Sequence, residues 1–349
     1  MIADDRFEQV ESTRIPGKSR TYGLVDFDRR QFVNLTVVGP TVENEEEDDD
    51  VEVPLTPPAV LTYGESLFTQ VCDGLGPDPC AITVNPDSGQ VLSKSVGPSV
   101  CRLGACWPQY PTPDELGLPA RIMTVKRSDL LELERLGPSM DLVSFKTELG
   151  RVERAVFRYF FARQDVHRHL KEQQALIHIG HHPNLIEYRR AVLDDSGQVV
   201  VGFLSRYIPG ANVLGSLSGP FRLAHLEQLL QVVDDINLKF GLAHGDIGPD
   251  HILIDEPTDT LKLTDMGLCR LRTTARVLAD IHMTVSTVYQ FLTGESDFFG
   301  HGGIWEETSA LLQYLETLTE WKPDPKLQLD HDIRTYRSRL LRWAANRLA

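Results

Sequence analysis

The residues with the clearest chemical potential lie between His244 and Gly267, in the sequence HGDIGPDHILIDEPTDTLKLTDMG. Two aspartates of this segment, Asp246 and Asp265, are 19 residues apart and flank short apolar runs that are typical of strands. Phosphoryl transfer uses two such carboxylates, one that orients the attacking hydroxyl and one that holds Mg²⁺ on the nucleotide phosphates. The spacing suits a catalytic loop, a strand pair and a metal-binding turn, although two aspartate turns between strands are also ordinary structure.

Several motifs in order resemble the protein-kinase superfamily. His244-Gly245-Asp246 resembles its catalytic loop, and Asp265-Met266-Gly267 resembles its metal-binding turn. Residues 280–294 resemble the helix that anchors the larger kinase lobe, and residues 181–188 (HHPNLIEY) resemble the turn after the smaller lobe's helix. Glu172 stands where the glutamate of that helix belongs. The resemblance is closest to a group of fungal protein-kinase-like proteins and extends over most of the chain.

The resemblance implies an ATP site with Mg²⁺ near the sequence LSRYIPG, with Asp246 as the catalytic residue and Asp265 as a metal ligand. A kinase strand supplies a lysine that holds the phosphates and pairs with the helix glutamate. Arg158 lies 14 residues before Glu172 and Lys146 lies 26 residues before it. The shorter spacing and clearer strand favour Arg158. We therefore expect Arg158 and Glu172 to serve the cofactor, although the pair could instead be purely structural.

Three further positions depart from the kinase pattern. His251 stands where the family has an asparagine that binds a second Mg²⁺, and imidazole is a poor ligand for Mg²⁺. Gly137 is the one glycine kept in the stretch that matches the phosphate-binding loop, LGPSMDLV. The segment between Gly267 and Asp280 has 12 residues and no APE motif, so a peptide-docking platform is absent or different.

These departures decide the predicted function. We expect a nucleotide-binding, pseudokinase-like protein with weak or absent phosphoryl transfer, which acts as a binding module or scaffold. The alternative is an active ATP-dependent protein kinase that uses Asp246 and Asp265. A further alternative is a small-molecule phosphotransferase, which shares the His-Gly-Asp motif and needs no activation segment, but also uses asparagine where His251 stands.

The order of strand-like and helix-like patterns predicts an α+β protein. The resemblance implies a two-lobed protein-kinase-like fold after a loop-rich, partly β N-terminal extension. The predicted divisions are a β-containing segment at 1–42, an acidic and proline-rich linker at 43–59, a loop-rich extension at 60–127, a smaller lobe at 128–210 and a larger lobe at 211–349.

The composition limits the partners. The net charge is −15, which argues against a nucleic-acid partner bound through bulk charge. Residues 43–52 contain eight acids and no base, and we expect this acidic run to contact a basic surface, such as that of the C-terminal helix or of a protein partner. No long apolar run or secretory leader is recognisable and the cysteine count of five is odd, so we expect no membrane span and an intracellular location, cytoplasmic or nuclear.

Overall fold

A computed structural model describes most of the chain in two compact units. The first contains residues 1–109, 134–141 and 160–166, and the second contains residues 110–133, 142–159 and 167–349. The described residues are 7–15, 19–26, 31–38, 80–85, 91–96, 110–137, 139–159, 163–209, 212–214, 220–295 and 321–348. The acidic run at 43–52 lies outside them. Helices and strands both contribute substantially, which confirms the α+β class, while the domain boundaries drawn from the sequence stay predictions.

The first unit contains a five-stranded sheet, in the order β1-β2-β3-β4-β5. Its strands are β1 (Phe7–Ile15), β2 (Ser19–Asp26), β3 (Gln31–Val38), β4 (Cys80–Val84) and β5 (Val91–Val96). The β3–β4 pair is parallel and places Leu35 opposite Ile82. These two side chains and Val33 are fully buried, so the alternating apolar residues of β3 form the inner face of the sheet.

A six-stranded sheet follows along the chain, in the order β6-β10-β11-β9-β8-β7. Its strands are β6 (Thr124–Lys126), β7 (Leu131–Gly137), β8 (Met140–Lys146), β9 (Val152–Tyr159), β10 (Tyr188–Leu193) and β11 (Val200–Arg206). Strand β9 pairs with β11 in antiparallel register, with Gly202 opposite Tyr159. A Cβ at Gly202 would lie 2.2 Å from the carbonyl oxygen of Arg158, so a glycine is required for β9 to approach.

Helix α1 (Arg163–Ile179) follows β9, as its apolar periodicity predicts. It buries Ala175, Leu176 and Ile179 on one face. Gly180 ends it with a φ of +71° and donates its N–H to the Leu176 carbonyl, a glycine C-cap that a residue with a side chain would strain. The helix carries Glu172 inward and Arg168 toward the loops described below.

The remaining elements are mostly helical. In chain order they are β12 (Asn212–Val213), β13 (Pro220–Phe221), α2 (Leu223–Asp234) with a π-turn at Asp235–Lys239, β14 (Leu242–Ala243), β15 (Ile252–Asp255), β16 (Thr260–Leu263), β17 (Arg270–Leu271), α3 (Thr274–Thr293), β18 (Gln328–Leu329) and α4 (Ile333–Leu348). Their core consists of fully buried residues from the three helices, among them Leu226, Val233, Ile281, Val285 and Leu340. No helix within the described ranges is long and apolar enough to cross a membrane.

Candidate functional site

A short loop carries Asp246 between β14 and the 3₁₀ turn at Pro249–His251. The carboxylate of Asp280, which is completely buried on α3, accepts hydrogen bonds from the backbone N–H groups of His244 and Gly245, both at 2.8 Å. Gly245 has a φ of +81°, and a Cβ there would lie 2.9 Å from the Leu268 carbonyl oxygen. Glycine and the buried carboxylate therefore fix the backbone that leads into Asp246.

His244 links the two aspartate segments. Its Nδ1 accepts the Asp246 backbone N–H at 3.2 Å, so the proton is on Nε2, which donates to the Thr264 carbonyl at 3.1 Å. Complete burial lowers the pKa of His244, although the charge of Asp280 opposes this. A neutral imidazole thus connects the loop before Asp246 to the residue just before Asp265.

Asp265 has a left-handed backbone with a φ of 58°, and its Oδ1 accepts the Gly267 N–H at 3.2 Å. A 3₁₀ turn, Met266–Leu268, follows it and buries Met266 completely. Burial favours a higher pKa for Asp265, but the positive charges of Arg158 and Arg168, with smaller contributions from His251 and the Gly267 N–H, hold the pKa below its usual value. Asp265 is therefore a carboxylate that stays ionised at neutral pH.

Arg168 brings the two aspartates together. Its Nη2 atom donates to Asp265 Oδ2 at 2.8 Å and to Asp246 Oδ2 at 3.2 Å. His251 completes the group, with its Nε2 at 3.4 Å from Asp246 Oδ2 and its Nδ1 at 3.7 Å from Asp265 Oδ2. One ligand atom from each of the two aspartates and from His251 lies within 4.8 Å of the others. The geometry can hold one small cation, and a guanidinium nitrogen lies beside both carboxylates.

Arg158 and Glu172 are also in contact, as the spacing predicts. Arg158 Nη1 lies 3.4 Å from Glu172 Oε2, and the Glu172 side chain is 1% exposed. Lys146, the alternative lysine candidate, is exposed at the end of β8. Gly137 is the last residue of β7 and lies before the turn to β8, where a Cβ would meet only the end of Met140 at 3.4 Å. The positive charge of Arg158 also lowers the pKa of Asp265.

Two residues of this site were missed by the sequence analysis. Arg168 lies four residues before Glu172 on α1, so the two occupy the same side of the helix, and this spacing was the available signal. Asn237 lies in the π-turn after α2 and is completely buried. Its amide donates to Asp280 Oδ2 at 2.8 Å and accepts from Arg347 on α4 at 3.0 Å.

A cavity of about 580 Å³ borders the same loop. Its wall combines apolar side chains with the polar side chains of Asp250, Gln290, Asp324 and Lys326. Thr287 also lines the cavity, and its hydroxyl donates a hydrogen bond to the Ile247 carbonyl at 3.0 Å. The cavity therefore borders the 3₁₀ turn at Pro249–His251, which follows the Asp246 loop.

The residues present fit an Mg²⁺-nucleotide only in part. The carboxylates of Asp246 and Asp265 are suitable ligands for Mg²⁺, and Arg158 supplies a positive charge for phosphate. The imidazole of His251 is not a ligand that Mg²⁺ prefers. No family model matches the chain, and no curated protein matches it either.

Proposed function

We propose that the chain is a protein-kinase-like protein that binds a nucleotide and transfers phosphate weakly or not at all. The proposal rests on one observation: Asp246 and Asp265, which are 78 and 97 residues from Arg168 in the sequence, both accept a hydrogen bond from the same nitrogen of its guanidinium. Two carboxylates at one point, with a second arginine in electrostatic range, are the arrangement expected of a site for a phosphorylated ligand.

Two further contacts support a kinase-like fold. The resemblance implies that the counterpart of Asp280 braces the backbone of the catalytic loop, and Asp280 does accept the N–H groups of His244 and Gly245. It also implies a pair between a strand cation and the helix glutamate, which Arg158 and Glu172 form. These contacts support a two-lobed kinase-like arrangement for residues 128–349 and ATP as its ligand.

Two features of the reacting centre favour weak transfer. Arg168 occupies both acids that would hold Mg²⁺, and His251 offers nitrogen where oxygen is expected. The loss of one preorganised electrostatic contact costs about 3–4 kcal/mol of transition-state stabilisation. Two such losses slow turnover by several orders of magnitude, because each 1.36 kcal/mol is a factor of ten.

An active kinase is the second candidate, and one observation favours it. Asp246, His251 and Asp265 remain within 4.8 Å of one another, and the Arg168 side chain is 43% exposed. A side chain with that exposure can leave the acids when metal and nucleotide bind. This candidate predicts Mg²⁺-dependent phosphate transfer that disappears in Asp246→Ala.

The test is a thermal-shift titration of the full chain with ATP, with and without Mg²⁺. We expect stabilisation by ATP, of about 2.7 kcal/mol at 100 times the Kd, and little or no transfer of labelled phosphate. Arg158→Ala should weaken the response, whereas the matched control Lys146→Ala should leave it intact. An absence of any shift at millimolar ATP sinks the nucleotide-binding proposal, and rapid transfer that requires Asp246 establishes the active kinase instead.

A further inference from the structure

The point between Asp246 and Asp265 has the charge of a cation site that is only half neutralised. Two carboxylates face one guanidinium, so the three groups carry a net charge of −1. His251 contacts both carboxylates and adds no charge when neutral. A divalent ion in place of the guanidinium would balance the two acids, and the imidazole nitrogen would supply a third ligand.

The position of Arg168 depends on Gly267. A Cβ at Gly267 would lie 2.3 Å from Arg168 Cγ and 2.8 Å from its Nε, so the arginine lies directly across the turn that follows Asp265. No other amino acid leaves this space free. Arg168 is nevertheless 43% exposed, whereas Asp265 is 16% exposed. Asp246 is 33% exposed, so Asp265 is the more enclosed of the two acids, and the cation is on a long side chain that solvent can reach.

The ligand types indicate which ion would compete. Mg²⁺ strongly prefers oxygen ligands, whereas Mn²⁺, Co²⁺ and Zn²⁺ accept one imidazole nitrogen beside carboxylates. Three protein ligands leave further coordination positions for water or phosphate oxygens. The residues at this point thus favour a divalent transition metal over Mg²⁺.

We propose that Arg168 is the resident cation of this site and that it competes with a divalent transition-metal ion, such as Mn²⁺, for Asp246, His251 and Asp265. The proposal rests on the proposed function for its biological meaning, because a bound nucleotide would share the ion. Arg168 then decides whether the site works with an internal cation or with a metal. Binding of the ion itself can be measured without nucleotide.

The experiment measures Mn²⁺ binding to the full chain by the loss of the free-ion electron paramagnetic resonance signal, with Mg²⁺ as competitor. We expect Arg168→Gln to bind Mn²⁺ at least tenfold more tightly than the natural chain. Lys171→Gln, three residues along the same helix, removes a charge without touching the acids and should bind as the natural chain does. Adding His251→Asn to Arg168→Gln should reduce the preference for Mn²⁺ over Mg²⁺.

A second variant keeps the test sharp if Arg168→Gln does not fold. Gly267→Ala excludes the arginine from its place and should also raise Mn²⁺ affinity. The inference is overturned if Arg168→Gln and Gly267→Ala, where they fold, bind Mn²⁺ no more tightly than the natural chain. It is also overturned if His251→Asn leaves the preference for Mn²⁺ over Mg²⁺ unchanged. ATP stabilisation without any gain in Mn²⁺ binding refutes this inference alone, and a gain in Mn²⁺ binding without ATP stabilisation supports it while refuting the nucleotide-binding proposal.

Discussion

The buried carboxylate of Asp280 offers the sharpest test of how the candidate site is held. It accepts three hydrogen bonds of 2.8 Å: one oxygen receives the N–H of His244 and the amide of Asn237, and the other receives the N–H of Gly245. Asp280→Asn keeps the size of the side chain and leaves one accepting oxygen. The better orientation retains the first two bonds and places an NH₂ group against the N–H of Gly245.

The expected cost follows from those contacts. A hydrogen bond to a charged group contributes about 1.5–3 kcal/mol, so the loss at Gly245 costs that amount. The two retained bonds lose their charge and become about half as strong. Together these effects lower the free energy of opening the loop by about 3 kcal/mol or more, which corresponds to roughly 100-fold faster exchange.

The assay is amide hydrogen exchange of the peptide that spans residues 242–248, followed by mass spectrometry. Asp280→Asn should accelerate exchange at His244 and Gly245 by about 100-fold under conditions where exchange reports the opening equilibrium. Asp250→Asn, which changes an exposed aspartate in the 3₁₀ turn after the loop, is the matched control and should have little effect. Acceleration of less than tenfold in Asp280→Asn, or equal acceleration in both variants, would refute this account of the loop.

Three other predictions concern stability, each measured by urea unfolding. Glu172→Leu leaves the largely enclosed Arg158 without its partner and should cost about 3–5 kcal/mol, whereas the double variant with Arg158→Met should cost less than that single change. Folding lowers the pKa of His244, so its stabilising contribution is complete above the unfolded pKa of about 6.5 and is lost below it by up to about 1.4 kcal/mol per pH unit. The free energy of unfolding should therefore fall from pH 7 to pH 5. The fall should be less steep in His244→Gln, and it should be as steep as in the natural chain in the control His178→Gln, which changes an exposed histidine. Arg347→Met removes a largely buried guanidinium that binds two side chains at the end of α2 and should cost about 1.5–3 kcal/mol; a cost below 0.5 kcal/mol contradicts this.

The sequence was most informative where chemistry and local spacing coincide. The α+β class follows from the change between strand and helix periodicities, and the end of α1 follows from Gly180. Asp246 and Asp265 could be chosen because each follows or precedes a short strand inside one continuous segment. The pairing of a strand cation with Glu172 was expected from the family resemblance, and the separation of 14 residues favoured Arg158 over Lys146.

The missed residues depend on long-range packing. Arg168 meets Asp246 across 78 residues, and Arg347 meets Asn237 across 110 residues. Charged residues on helices are common, and periodicity alone does not show which of them turns toward a distant loop. Asn237 was hidden for another reason, because the π-turn at Asp235–Lys239 shifts the side chains after α2 away from the regular helical repeat.

The contacts around the acid pair divide the site into a rigid part and an exchangeable part. Arg347 donates to Asn237, Asn237 donates to Asp280, and Asp280 accepts the N–H of Gly245, so buried groups on α4, the π-turn and α3 fix the backbone that leads into Asp246. Arg168 approaches from α1 through a long, partly exposed side chain and contributes only its guanidinium. Buried hydrogen bonds hold the backbone before Asp246, whereas Arg168 reaches the acids only through a long side chain that is 43% exposed. A change of ligand at this site should therefore move the arginine more than the two acids.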